Sequence, residues 1–285
     1  MAHDFGVTPK FLSLTPTRDN VTAPGARLAD KHTRLFCGKT LDEWTMLQLW
    51  SSKYLGEAVF ICETLEHKHS LEPLGTKYGV RLLVRPWQML SPVCDSGAIP
   101  VSWAADHVLR DRYYDLVTTP LVVSPCRRPG FFDYMTEEYL RLFRLAPDRE
   151  RGELWVMGGH NADAISWEVD KNGRGRQLGT EYYNALDNSM VSMAQDWMGA
   201  THWWKAFCQV RDSRHSLGFS PKIFEIEPWE DVHIDTEADW TLAEHWFKEH
   251  ILSKGEDCYE RYRASWADGA TGSTGVGIRR PGALV

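Results

Sequence analysis

Phe11-Leu-Ser-Leu-Thr-Pro-Thr-Arg-Asp-Asn-Val-Thr-Ala-Pro-Gly25 governs the reading of the whole chain, because an apolar stretch of strand length, 11–15, runs directly into a loop crowded with turn formers. Arg18 lies in that loop, and Arg27 and Lys31 follow it. Cations, glycine and small residues at the end of a strand suit a phosphate group, which takes backbone N–H donors and positive side chains around one point. The loop matches neither G-x-x-x-x-G-K-[ST] nor G-x-G-x-x-G, so taken alone it also admits a plain polar surface loop.

Outward from this strand, helix and strand signals alternate. Residues 41–55 carry apolar side chains at helical spacing (Leu41, Trp44, Leu47), 58–62 reads as a strand, 71–78 as a helix closed by Gly79, and 80–84 as a strand. A helix at 101–109, a long apolar strand at 115–123 and a helix at 131–143 follow. Such alternation predicts an α/β domain: a mostly parallel sheet, helices on both faces, and functional loops at the carboxyl ends of the strands. From 145 to 220 the pattern loosens into an inserted subdomain, with a strand at 153–157, a charged hairpin or loop at 170–179 and a short strand at 189–193. Regular character returns with a strand at 222–227 and a helix at 238–251, which Thr236 and Asp239 can cap. Residues 1–255 read as one domain, and 256–285 as a flexible tail.

A chain of 285 residues with 43% hydrophobic content can bury a substantial core, and several of its 13 tryptophans, Trp240 and Trp246 among them, sit at amphipathic helical positions that suit core packing. The net charge of -7 offers no general attraction to nucleic acid, so none is expected as a partner. Cys37, Cys62, Cys94, Cys126, Cys208 and Cys258 form no C-x-x-C pair, which argues against a disulfide framework or zinc ribbon and for a reduced, cytoplasmic setting. No window approaches the roughly 20 apolar residues of a membrane span.

Near the other end, His233 and Asp235 stand two apart on an extended segment and so project to one side, where they can share a metal ion. A carboxylate suits magnesium, and the imidazole tilts preference toward manganese or a water-bridged contact. The plainer reading is that Asp235 only opens a helix, and Asp239 reads as a first-turn residue of that helix. His245 and His250 miss the spacing of H-E-x-x-H, His67-Lys-His69 reads as a solvated turn, and Ser124 lacks the flanking glycines of a nucleophile elbow.

In order along the chain, these segments resemble the acylneuraminate cytidylyltransferases, the CMP-sialic acid synthetases, with a looser likeness to the CMP-Kdo synthetases. Phe11 to Arg18 is similar to the family's first strand and P-A-R signature, Lys31-His32 to the Lys-Asn that closes the same loop, and Gly38-Lys-Thr-Leu41 to its G-K-P-L helix start. Cys62-Glu-Thr64 stands at the place of its S-T-D strand end, Tyr78-Gly79 and Arg85-Pro86 match its Y-G and R-P, and Asp95-Ser96 is loosely similar to its D-x-x-S region. Ser124-Pro-Cys-Arg127 resembles the end of P-T-S-P-L-R, and Arg176-Gln177 the Arg-Gln before the N-G-A-I-Y-I strand, here Asn188 to Met193. His233-Ile-Asp-Thr-Glu-Ala-Asp-Trp240 with Ala243-Glu244 resembles D-I-D-T-E-x-D-x-x-x-A-E. The likeness is collinear from 11 to 250.

The resemblance implies a Rossmann-like, three-layer fold of the nucleotide-diphospho-sugar transferase type, a homodimer formed partly through the inserted segment, and transfer of CMP from CTP to an acidic sugar with loss of pyrophosphate and help from Mg2+ or Mn2+. Carried over position by position, it implies Arg18, Lys31 and Asp235 as the catalytic set and Asp235 with His233 as metal ligands. Arg27, Arg85, Ser124, Arg127, Arg176, Gln177 and Asn188 become substrate contacts. Positioning and charge neutralisation would carry such chemistry. Three departures stand out: the loop from Arg18 to Lys31 is longer than the family's, His233 replaces the first of two metal aspartates, and Leu121 and His32 replace a glutamine and an asparagine. The competing readings are a GT-A glycosyltransferase, whose Asp-x-Asp motif is absent from the sequence, and a non-catalytic nucleotide-binding relative.

Overall fold

The computed structural model describes residues 9–18, 28, 31–86, 98–147, 154, 156–161, 167–169, 175–177, 183–184, 190–193 and 222–267. Alternation along β1 (Phe11–Pro16) decides how the layers form. Phe11 enters one core with Ala58, Phe60 and Cys62 of β2 (Leu55–Cys62) and Leu116 of β4 (Leu116–Thr118). Leu12 and Leu14 enter a second core, with Val59, Ile61 and Val117. A strand buried on both faces belongs in the middle of a parallel sheet, and β1 lies there, parallel to β2 on one side and to β4 on the other.

Helix α3 (Ala98–Leu109) covers the second core with Val101, Ala104, Ala105 and Val108. The first core is closed by α1 (Leu41–Trp50), α2 (Leu65–Tyr78), α4 (Phe131–Leu145), α5 (Glu237–His250) and α6 (Cys258–Ala267), which contribute Trp44, Leu71, Met135, Phe247 and Tyr259. The result is the three-layer α/β architecture that the sequence pattern predicts. Trp44 and Trp240 are core residues, and Phe36 packs edge-on against Trp240 and Phe247 at 5.5 and 5.2 Å.

The main sheet runs β10-β5-β9-β4-β1-β2-β3, where β3 is Val80–Val84, β5 Val156–Asn161, β9 Met190–Met193 and β10 Lys222–Glu225. Pairing is parallel except at β9, which lies antiparallel to both β4 and β5. The segment read as an inserted subdomain therefore supplies β5 and β9 to this order, and β8 (Tyr183–Asn184) beside β5. Strands β6 (Trp167–Val169) and β7 (Gly175–Gln177) form the hairpin expected near 170–179.

Local chemistry sets the element ends. Thr40 and Thr64 cap α1 and α2 by accepting from the amides of Glu43 and His67, and Gly79 ends α2 at φ 68°, a left-handed conformation that favours glycine. Thr236 and Asp239 form the reciprocal capping box of α5.

Three expectations are corrected. The strand read over 115–123 stops at Thr118, because Pro120 has no N–H to offer a neighbour and the chain turns at 122–123. His67-Lys-His69 is the first turn of α2, with His67 buried, since the Thr64 cap starts that helix earlier than its apolar spacing suggests. Helix α6 occupies the beginning of the stretch read as a flexible tail. It is fixed by Tyr259 in the core, by a Tyr262 hydroxyl that donates to Asp133 at 2.7 Å, and by Trp266 Nε1 donating to the Ser51 carbonyl at 2.9 Å.

Candidate active site at the carboxyl ends of the central strands

Strand order reverses at β1: β2 and β3 lie to one side and β4 to the other, which leaves a crevice at the carboxyl ends of β1 and β4, where open α/β sheets bind ligands. Thr17, the first residue beyond β1, donates its hydroxyl to Asp42 Oδ1 at 2.6 Å, and His32 Nδ1 lies 3.5 Å from Asp42 Oδ2. Asp42 sits in the first turn of α1, where the helix dipole favours a carboxylate, so one buried acid holds both ends of the loop after β1. Phe36, driven into the core, and the Trp44 indole that donates to its carbonyl at 2.7 Å, fix the chain just past that loop.

This anchoring directs Lys31 across the crevice to the segment before α5. Its ammonium donates to the Ile234 carbonyl at 2.8 Å and to Asp235 Oδ1 at 3.1 Å, and its side chain is only 13% exposed. His233 Nε2 lies 3.7 Å from the same Asp235 oxygen. The capping work falls to Asp239, whose Oδ2 accepts from the amides of Asp235 and Thr236 at 3.1 and 2.7 Å. Asp235 thus directs its carboxylate to Lys31 and His233, and the plainer reading of it as the opening of a helix does not describe what it touches. Arg34, beyond Lys31, pairs with Glu237 at 2.8 Å and lies 4.4 Å over the Trp240 ring, strapping the same two segments together.

The third wall is the loop after β4. The Ile234 amide donates to the Val123 carbonyl at 2.9 Å, which joins this loop to the segment carrying His233 and Asp235. Ser124 is 1% exposed, and its Oγ, like Oγ1 of Thr118 at the end of β4, has no hydrogen-bond partner among the described residues. Arg127 is 0% exposed: its guanidinium donates to the Leu121 carbonyl at 2.8 Å and to Gln48 Oε1 at 3.4 Å, with Phe132 5.6 Å beneath it.

Arg127 therefore braces the loop from inside. Arg85 is likewise buried and ion-paired with Glu63 at the end of β2, so its charge is neutralised within the protein. Arg18 lies half-buried directly after Thr17. Arg27, Asn188 and the side chains of Arg176 and Gln177, which stand on β7, lie outside the described residues. Asp42, Thr17 and Gln48 were not marked from the sequence; the acidic first turn after Thr40 was their one visible signal.

A metal can be tested against this donor set. Among the described residues no group of three or more His, Cys, Asp or Glu side chains could hold an ion. Asp235 with His233 nevertheless fits a cation that arrives with a nucleotide, since magnesium is commonly held by one or two carboxylates plus substrate phosphates and water. A separate groove of about 500 Å³ lies at the β3 edge, lined by residues of mixed charge including Glu57, Lys68, Arg81 and Arg112. It contains none of the candidate catalytic, substrate-binding or metal residues.

The fold is of the Rossmann-like α/β class. Among the solved structures it resembles are 4-diphosphocytidyl-2C-methyl-D-erythritol synthase from Anaerococcus prevotii (TM-score 0.58, 14% identity, 84% of this chain and 99% of that one) and a cytidylyltransferase from Leptospira borgpetersenii (TM-score 0.53, 14% identity, 92% and 96%). A third is CMP:2-keto-3-deoxy-manno-octonic acid synthetase complexed with CTP (TM-score 0.50, 15% identity, 91% and 99%). No family model and no curated protein matches the sequence. At such identities the likeness establishes the fold, and the chemistry rests on the residues of the crevice. No helix among the described residues is long and apolar enough to cross a membrane.

Proposed function

We propose that this protein is a cytidylyltransferase that transfers CMP from CTP to an acidic sugar of the sialic or other ulosonic class, releasing pyrophosphate. The observation that carries this reading is the meeting of Lys31 and Asp235 at the strand-order reversal: an ammonium suited to phosphate oxygens and a carboxylate suited to a cation, 3.1 Å apart. The sugar hydroxyl oxygen bonds to the α-phosphorus as the bond from that phosphorus to the pyrophosphate oxygen breaks, and the hydroxyl proton leaves to solvent. Lys31 and Arg18 hold the phosphate oxygens and stabilise the charge that builds on them. Asp235, aided by His233, is the place for Mg2+ or Mn2+, which when bound supplies charge neutralisation at the phosphates. Ser124, with a buried hydroxyl left over for a ligand, faces the acceptor, and Arg27, Arg176, Gln177 and Asn188 are proposed to contact substrate. The active form is proposed to be a homodimer joined through 145–220.

Incubation with CTP, Mg2+ or Mn2+ and a panel of acidic sugars, followed by pyrophosphate release, tests the reading. Release that requires both CTP and a sugar acid is the expected result. Absence of release with every acceptor, together with no calorimetric heat for CTP at millimolar concentration, overturns it.

A further inference from the structure

We infer that Tyr259 of the carboxyl-terminal helix is a positioning residue, setting the geometry of loop 121–127 and, through it, affinity for the nucleotide. The second half of this inference rests on the function proposed above; the first stands by itself.

Four carbonyls of the loop accept side-chain or long-range donors, one of them from within the loop and three from other elements; the Leu121 and Pro125 carbonyls also accept from the loop amides of Ser124 and Arg127. Leu121 accepts from the Arg127 guanidinium, Val123 from the Ile234 amide, Pro125 from Gln48 Nε2 of α1 at 2.6 Å, and Arg127 from the Tyr259 hydroxyl of α6. Gln48 and Tyr259 also meet at 3.3 Å, so the donors form one connected network beneath the loop. Tyr259 is 1% exposed, and its ring lies 6.2 Å from Trp44. Its hydroxyl is thus held away from water, where losing the donor leaves a buried carbonyl short of the bond. The loop it holds bears Ser124 and is bonded through Val123 to the segment of Asp235. A shift of the Arg127 carbonyl therefore reaches both walls of the crevice.

The rest of α6 provides an internal control. Tyr262 and Trp266 dock the helix on Asp133 and Ser51, and neither bond touches loop 121–127. A helix that only completes the core would make Tyr259 and Tyr262 equivalent in every readout except overall stability.

The experiment compares the full chain with Tyr259→Phe and Tyr262→Phe by hydrogen exchange and by calorimetric titration of CTP with Mg2+, well below the melting temperature. For Tyr259→Phe, amides of 122–127 exchange faster while those of β1 and β2 are unchanged, and the Kd for CTP weakens about tenfold, the usual consequence of one buried donor lost. Tyr262→Phe lowers the Tm but leaves the Kd and the loop exchange at parent values. If Tyr259→Phe leaves loop exchange unchanged, Tyr259 is only a core residue; if both variants weaken CTP equally, the effect is general loosening. Either result overturns the inference. Should Tyr259→Phe not fold, Gln48→Met removes the side-chain donor to the Pro125 carbonyl and the contact with the Tyr259 hydroxyl, and carries the same expectations. If the parent chain takes up no CTP, the proposed function fails, and the exchange comparison still decides whether Tyr259 governs the loop.

Discussion

Lys31 and Asp235 are 204 residues apart in sequence and meet at 3.1 Å. If they are the charged pair of the active site, Lys31→Ala lowers turnover on the order of a hundredfold, as expected for lost charge stabilisation. Asp235→Asn abolishes turnover with either metal; full activity in that variant, measured as pyrophosphate release, places the cation elsewhere. Both residues were visible in the sequence for local reasons, Lys31 as a cation in a strand-end loop and Asp235 as the partner of His233 on one side of an extended segment. Their pairing was not visible, because no spacing rule spans a fold. The same limit hides the partners of Arg85 and Arg127, each of which finds a counterpart inside the protein, Glu63 for one and the Leu121 carbonyl for the other. Burial is a property of packing, which composition does not report.

At the scale of elements, the helix start at Thr236 was legible because a capping box is local, four residues holding one another's orphan donors. Thr236→Ala is expected to cost about 1 kcal/mol in denaturant unfolding. Because Asp239 of the same box also fixes the Asp235 amide, the variant also raises the metal concentration needed for half-maximal activity; an unchanged requirement shows that the segment is held by Lys31 and Arg34 instead. Helix α6 was missed, although Tyr259, Tyr262 and Trp266 fall at helical spacing. Gly255 ahead of it and the glycine-rich stretch beyond outweighed three aromatic positions. The strand over 115–123 failed in the opposite sense: apolar content persisted after Pro120 had ended the pairing. Hydrophobicity marks what is buried, and hydrogen-bonding capacity marks what is strand.

At the scale of the molecule, the α/β class and its parallel strands were legible from alternation alone, whereas the role of 145–220 was not, since short strands without a helix between them do not announce which sheet they join. The proposed homodimer predicts a light-scattering mass of twice 32.7 kDa at micromolar concentration, and a mass near 32.7 kDa decides against it. Strand β9 gives the sheet a further character. Remove it, and what remains is two separate ribbons, the parallel β3-β2-β1-β4 and β5 with β10 and β8. A four-residue seam stitches them, and one of the edges it joins is the three-residue β4, whose end forms a wall of the crevice. Hydrogen bonds are fewest where the stitching is shortest, so the sheet should part along this line before either ribbon unravels. The candidate crevice lies beside this short joint, and anything that tightens the crevice also hems the seam.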